Sequence, residues 1–335
     1  MRMGLLFTLV ASLFLAACSA PNRSKRPAVN EPPPAPEPYV RIITGSNSVQ
    51  LQIAARKFVP MRGKHPFIWL TGVSHIGEPK YFAALKHHLD GQTLVLFEGI
   101  TDSRGTNPSS NMETNAETAR VGVGGSKEKL SSLQVSMAET LGLAFQLEAI
   151  DYSSPHYFNS DLSVQELREI IGQTGAGESF ESLLQMMEGS SWLDTILQVV
   201  FRFLSTSPKL QGLSKLALME SIGEIQGDPA QMRGLPPQLK QLLDVLIARR
   251  NEKVVADLKL QLARMASNKS IAIFYGTGHM PDLEARLWEL DYRPAEQLWF
   301  TAFSVDKVAT GISETEYQFV RSFIQREFQH AEEKP

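Results

Sequence analysis

Three short stretches carry residues whose types and spacing could do chemistry: GVSH at 72–75, FEG at 97–99 and GTGH at 276–279. Both His75 and His279 follow an apolar run, a glycine and two further residues, and Glu98 closes the apolar run TLVLFEGI. Two neutral imidazoles and one carboxylate form a mixed nitrogen and oxygen donor set that suits zinc, manganese, cobalt or iron and leaves positions for water. Water held in that way becomes acidic enough to attack a carbonyl near neutral pH, while the cation polarises the bond under attack. The chemistry expected is hydrolysis. No HExxH pattern is present, so a helix-borne zinc site of that kind is not expected.

Other readings of the same residues stay open at this level. A His after a strand-ending Gly can cap a helix or bond a backbone carbonyl, and Glu98 can serve as a helix N-terminal anion or a salt-bridge partner. Asp151, closing QLEAIDY, is expected on the same rim as a further ligand, a general base, a group orienting a His, or simply a helix cap. Asp151 and Glu78 are the candidates for shuttling a proton from water. His65, His87, His88, His156 and His330 are read as structural or solvated.

The elements that must position these groups are legible in outline. VQLQIAARKFVP (49–60) and PFIWLTGV (66–73) read as a hairpin with its second strand buried. Pro79 opens an amphipathic helix over KYFAALKHHL, and TLVLFEGI is a second buried strand, so this part is a βαβ unit. A parallel crossover puts strand carboxyl ends on one rim, where ligands of open α/β sheets collect. Residues 101–127 read as a long polar loop, residues 128–143 as a helix, and residues 160–266 as an almost wholly helical insertion. Strand character returns in IAIFYGTGH, followed by a helix over MPDLEARLWEL, a strand over EQLWFTAFSV and a capped helix beginning at SETE. The expected fold is α/β: a mixed, largely parallel sheet built from both ends of the chain, with a large helical insertion.

With 335 residues, 43% of them hydrophobic and 21% charged, the chain has the composition of a globular protein, and a net charge of -3 gives no field for nucleic acid phosphates. The amino terminus has the layout of a bacterial export signal, with Arg2, an apolar stretch from Leu5 to Ala17 and LAAC ending at Cys18. LAAC resembles a lipobox, so residues 1–17 are expected to be removed and Cys18 acylated. Residues 18–38 form a Pro-rich tether and 39–330 a single domain. Location in the cell envelope follows, with Ser19 pointing to the periplasmic face of an outer membrane. Cys18 is the only cysteine, which leaves the domain no disulfide, thiolate nucleophile or Cys-type zinc site.

The paired Gly-x-x-His motifs, the FEG strand end and the Arg250-Asn251 pair in IARRNEKVVADL together resemble the TraB/PrgY/GumN family, which includes the TIKI metalloproteases and is more distantly related to erythromycin esterase and the ChaN haem-binding lipoproteins. The resemblance spans about Ser48 to Val305 in order of elements. It implies a divalent metal on His75, Glu98 and His279, with Arg250 and Asn251 near the site, and hydrolysis of a peptide or ester. The residue after Gly72 is Val where many relatives carry Thr or Ser, and the loop after Glu98 is long, so the substrate class stays broad. The expectation is an envelope lipoprotein that hydrolyses peptides or related small molecules with one metal ion. The alternatives are a non-catalytic haem- or metal-binding lipoprotein of the same fold, or a scaffold docking partners through its helical middle.

Overall fold

The computed structural model describes residues 37–100, 132–173, 177, 204, 206–224 and 237–332. The export signal, Cys18, the tether up to residue 36, the 101–127 loop and much of the helical insertion lie outside the described residues. In chain order the strands are β1 (Val40–Thr44), β2 (Ser48–Pro60), β3 (Phe67–Val73), β4 (Ile76–Gly77), β5 (Leu94–Phe97), β6 (Ala144–Phe145), β7 (Tyr157–Asn159), β8 (Ser270–Gly276) and β9 (Tyr292–Asp306). The helices are α1 (Pro79–Asp90), α2 (Ser132–Leu141), α3 (Gln146–Ala149), α4 (Val164–Gly172), α5 (Pro208–Glu224), α6 (Pro237–Asp244), α7 (Arg250–Leu262), α8 (Met280–Glu289), α9 (Lys307–Thr310) and α10 (Glu314–Glu332). A turn of π-helix, Val245–Arg249, leads into α7, and a 3-10 turn, Thr277–His279, leads into α8.

Among the described residues seven strands form one mixed sheet, and β4 pairs with β6 in a separate two-stranded ladder. Only β2 opposes the general direction: β9 pairs along one of its edges, while β1 and β3 share the other, antiparallel in every case. Beyond β3 the order is β8, β5, β7, all parallel. The strands of the expected βαβ unit, β3 and β5, are therefore not neighbours. β8, from almost 200 residues further along, lies between them, pairing Phe67–Val73 on one side and Leu94–Phe97 on the other. Central parallel strands are covered on both faces and so read as continuous apolar runs. FIWLTGV and SIAIFYG have that form, and every residue of β8 is buried.

Alternation along the strands feeds two cores. Leu51, Ile53, Val95, Ala272 and Phe274 face one side, where they meet Tyr81, Phe82 and Leu85 of α1, Leu216 and Met219 of α5, and Tyr317 of α10. Leu70, Leu96, Ile271, Ile273 and Tyr275 face the other, against Val254 and Leu258 of α7 and Leu283 and Leu287 of α8. The result is a helix, sheet, helix sandwich. The expected caps are present: Pro79 stands in the first turn of α1, and Ser313 and Glu316 bond reciprocally before α10. QLEAIDY, whose Asp151 was expected on the rim, is one turn of helix followed by a loop, and the next strand is Tyr157–Asn159. A four-residue turn closed by the Ile150 N–H to Gln146 satisfies the backbone there without a ladder partner.

His88 is held in the first core layer, edge-on to Trp69 at 4.8 Å and beside Phe300, with Thr71 Oγ1 3.3 Å from its Nε2. Burial pushes its pKa down to about 4, with His87 acting in the same sense and Glu296 against it. The unfolded chain, with an ordinary His value near 6.5, takes up this proton first. Stability is therefore full above about pH 6.5 and falls by up to about 3 kcal/mol as pH drops toward 4. Urea unfolding across that range should show the wild-type stability falling more steeply than that of His88→Gln.

Candidate active site

The two Gly-x-x-His turns interlock at the carboxyl ends of β3 and β8. A methyl group on Gly72 would lie 2.9 Å from Thr277 Cγ2 and 3.2 Å from the Ala54 carbonyl oxygen, so the first turn packs without a side chain against the second. A methyl group on Gly276 would lie 3.3 Å from His75 Nε2 and 3.3 Å from Glu98 Oε2. The second glycine thus leaves the space in which the first histidine and the carboxylate converge. Its own N–H donates to Glu98 Oε2 at 2.6 Å, fixing that oxygen.

Glu98 follows β5 directly, and its N–H donates to the Phe274 carbonyl of β8, which draws the carboxylate over the end of the inserted strand. Its other oxygen, Oε1, accepts from Arg250 Nη2 at 2.7 Å and stands 3.5 Å from His279 Nε2. Arg250, the first residue of α7, is clasped in turn by Asp161: Nε donates to Oδ1 at 2.9 Å and Nη2 to Oδ2 at 2.6 Å. Asp161 is fully buried, Arg250 7% exposed and Glu98 12% exposed. Burial alone would raise the Glu98 carboxyl, but the Arg250 guanidinium beside it holds it well below the usual carboxylate range. Burial likewise opposes the charge on Arg250, and Asp161 and Glu98 more than restore it. Counting Asp161, Arg250 and Glu98 as ionised, this buried set carries one net negative charge.

The imidazoles are oriented by amides. Asn251 Nδ2 donates to the His279 carbonyl at 3.2 Å and to Asp282 Oδ2 at 2.7 Å, two groups that accept only. Its Oδ1 therefore faces His279 Nδ1, 2.8 Å away, and that nitrogen carries the proton. His279 Nε2 then stands 3.5 Å from Arg250 Nη1, which can only donate to it, and 3.5 Å from Glu98 Oε1. On the other side His75 Nδ1 lies 2.7 Å from Gln146 Oε1, and Gln146 Nε2 donates to the Tyr152 hydroxyl at 2.8 Å. This is the pattern by which hydrogen-bonded partners fix the tautomer of a metal-binding His.

The expected residues are not all gathered. His75, Glu98, His279, Arg250 and Asn251 meet at this rim. Asp151 is exposed, with Oδ1 accepting the Ser153 N–H in a tight turn. Glu78 is tied to β9: Oε1 accepts from the Ser304 N–H and hydroxyl, and Oε2 pairs with Lys80 at 2.7 Å. The acidic group that reaches the rim is Asp161, two residues beyond β7. Sequence reading missed Asp161, Gln146 and Tyr152, and the only signal for them was position after short apolar runs.

Among the described residues no group of three or more His, Cys, Asp or Glu side chains is placed to hold a metal ion. The donor chemistry nonetheless fits an ion. His279 Nε2 and Glu98 Oε1 stand 3.5 Å apart, and an imidazole nitrogen and a carboxylate oxygen are donor types that a divalent ion would take. Comparison with family models, with curated proteins and with solved structures finds no match.

Two outcomes check this geometry. Asp161→Asn weakens two charge-assisted hydrogen bonds while leaving Arg250 paired with Glu98, and should lower stability by about 2 kcal/mol, read from denaturant unfolding. Gly276→Ala should leave the denaturant midpoint within about 1 kcal/mol of wild type, while crowding His75 and Glu98 enough to weaken divalent metal binding measured by calorimetry.

Proposed function

We propose that this rim is the centre of a divalent-metal hydrolase acting on peptide, amide or ester bonds. The observation that carries the reading is the pair His279 Nε2 and Glu98 Oε1. Asn251 makes the first a lone-pair donor, Arg250 and Gly276 keep the second an anion, and the two face each other at 3.5 Å. The Arg250 guanidinium reaches both atoms, Nη2 at 2.7 Å from the carboxylate oxygen and Nη1 at 3.5 Å from the ring nitrogen, so the two lone-pair donors converge where positive charge is favoured. One net negative charge in the buried set favours a cation as well.

His75, Glu98 and His279 would hold the ion, which when bound supplies Lewis acidity, lowering the pKa of a water and polarising a carbonyl. The chain's own groups set the rest. Asn251 keeps the His279 proton on Nδ1, and Asp161 locks the Arg250 guanidinium so that it holds Glu98 ionised and still. A carboxyl held so far down is a weak base at neutral pH, so the contribution of Glu98 is charge and position. Arg250 also places a fixed positive charge where an oxyanion would gain from it. The resemblance to the TraB/PrgY/GumN family supports this reading, as GVSH, FEG, Arg250-Asn251 and GTGH are the residues that meet. We further propose that Cys18 anchors the chain at the bacterial envelope, facing the periplasm. No helix among the described residues is long and apolar enough to cross a membrane.

A second reading rests on Arg250 itself. Its guanidinium already neutralises Glu98, which supports metal-free hydrolysis with a histidine as general base and Arg250 as the fixed cation. Elemental analysis and chelation separate the two. The metal reading expects one divalent ion per chain, loss of peptide-library or ester turnover on chelation and recovery on add-back. In His75→Ala or His279→Ala, kcat should fall by about 1,000-fold, matching the several kcal/mol a polarising ion supplies. Turnover that survives full chelation sinks the metal reading. Stoichiometric metal or haem without turnover of any library would instead make the protein a carrier.

A further inference from the structure

We infer that Gln146 is the positioning residue that makes the Nε2 of His75 a lone-pair donor, and that the strap β6–α3 is the device that delivers it. The inference deepens the proposed metal hydrolase and rests on that reading for its consequence, though not for the tautomer itself.

The strap holds the His75 turn at three levels. β6 pairs with β4, Phe145 opposite Ile76 and Ala144 opposite Gly77, immediately after the histidine. The Gln146 N–H donates to the His75 carbonyl at 2.8 Å. The Gln146 side chain then turns back to His75 Nδ1 at 2.7 Å. One residue grips both the backbone and the ring of the histidine. Gln146 is itself 2% exposed, and the far end of its amide is set by the Tyr152 hydroxyl, whose ring packs on Phe97 at a centroid distance of 4.7 Å. Phe97 precedes Glu98, so the group orienting His75 is referenced to the strand that carries the carboxylate.

The chemistry depends on which end of the amide meets the ring. With Oε1 toward His75, Nδ1 carries the proton and Nε2 presents its lone pair on the side of Glu98 Oε2. With the amide reversed, Nε2 would carry the proton and could only donate to that oxygen, and His75 would be no ligand. The strap thus provides for His75 what Asn251 provides for His279 from α7, a second amide arriving from an unrelated element.

The test is made on the full chain. Long-range proton–nitrogen NMR of the wild type should show His75 as the Nδ1–H tautomer. Gln146→Leu should move it toward Nε2–H and weaken zinc or manganese binding, measured calorimetrically, by about 10–100-fold. Gln146→Glu, which keeps an acceptor at the same place, should retain the wild-type tautomer. Tyr152→Phe removes only the hydroxyl and should give an intermediate loss in a folded protein even if Gln146→Leu does not fold. A wild-type Nε2–H tautomer, or a Tyr152→Phe protein with unchanged tautomer and unchanged metal affinity, overturns the inference. A wild type with the expected tautomer that binds neither ion leaves the role of Gln146 standing and sinks the metal hydrolase.

Discussion

The rim exists because β8 is threaded between β3 and β5. Without it, His75 and Glu98 would end neighbouring strands of a simple βαβ unit, and nothing would hold the carboxylate over the end of a third. With it, the Glu98 N–H bonds the Phe274 carbonyl, the Gly276 N–H bonds the Glu98 carboxylate, and His279 is carried in on the turn that follows. These are ladder and ladder-end bonds, set by strand register. A one-residue slip of β8 would turn Ile271, Ile273 and Tyr275 to the wrong core and move Gly276 away from the carboxylate together. Core packing and site geometry are therefore enforced by the same register.

That dependence explains what the amino-acid sequence disclosed and what it withheld. Buried parallel strands have a local signature, so FIWLTGV, TLVLF and IAIFYG were readable, as were Pro79 at a helix start and the Ser313 cap. The motif glycines were readable too, because close approach demands a missing side chain. Order across the sheet has no local signature: nothing in residues 67–97 announces that their middle partner lies near residue 272. QLEAIDY misled for a related reason. Its apolar content fits a strand or a short buried helix equally, and the choice was made by Gln146 bonding His75, a contact with partners far along the chain. Asp161 was invisible in the same way, since an Asp two residues after a three-residue strand carries no spacing rule. Its importance comes from Arg250 arriving on α7 and from the Gly99 N–H it accepts beside Glu98.

Mirrored support of the two histidines gives the arrangement a chemical logic beyond proximity. Each Nδ1 meets a neutral amide oxygen, Gln146 on one side and Asn251 on the other. A carboxylate in either place would strengthen the donor but add another negative charge to a buried cluster that already holds Asp161 and Glu98 against one guanidinium. Amides fix the tautomer without adding charge. The carboxylate that does touch one of these amides, Asp282 on Asn251, is shared with Arg286.

A buried anion facing a lone pair is unfavourable by itself, and the fold commits well-packed elements to maintaining that juxtaposition. The Arg250 clasp offsets only part of that cost: it also serves Asp161, and with Asp161 counted the set stays one charge negative. Asp161 also accepts the Gly99 N–H at 2.9 Å and the Leu162 N–H at 2.7 Å, so the same carboxylate ties the segment after Glu98 to Arg250. Asp161 makes sense if Arg250 must be immobile, holding one oxygen of Glu98 still while the rest of the carboxylate and both imidazoles meet a cation. Strand register, the two amides and the Asp161 clasp then converge on one physical requirement, a fixed set of lone pairs whose charge is completed from outside the chain.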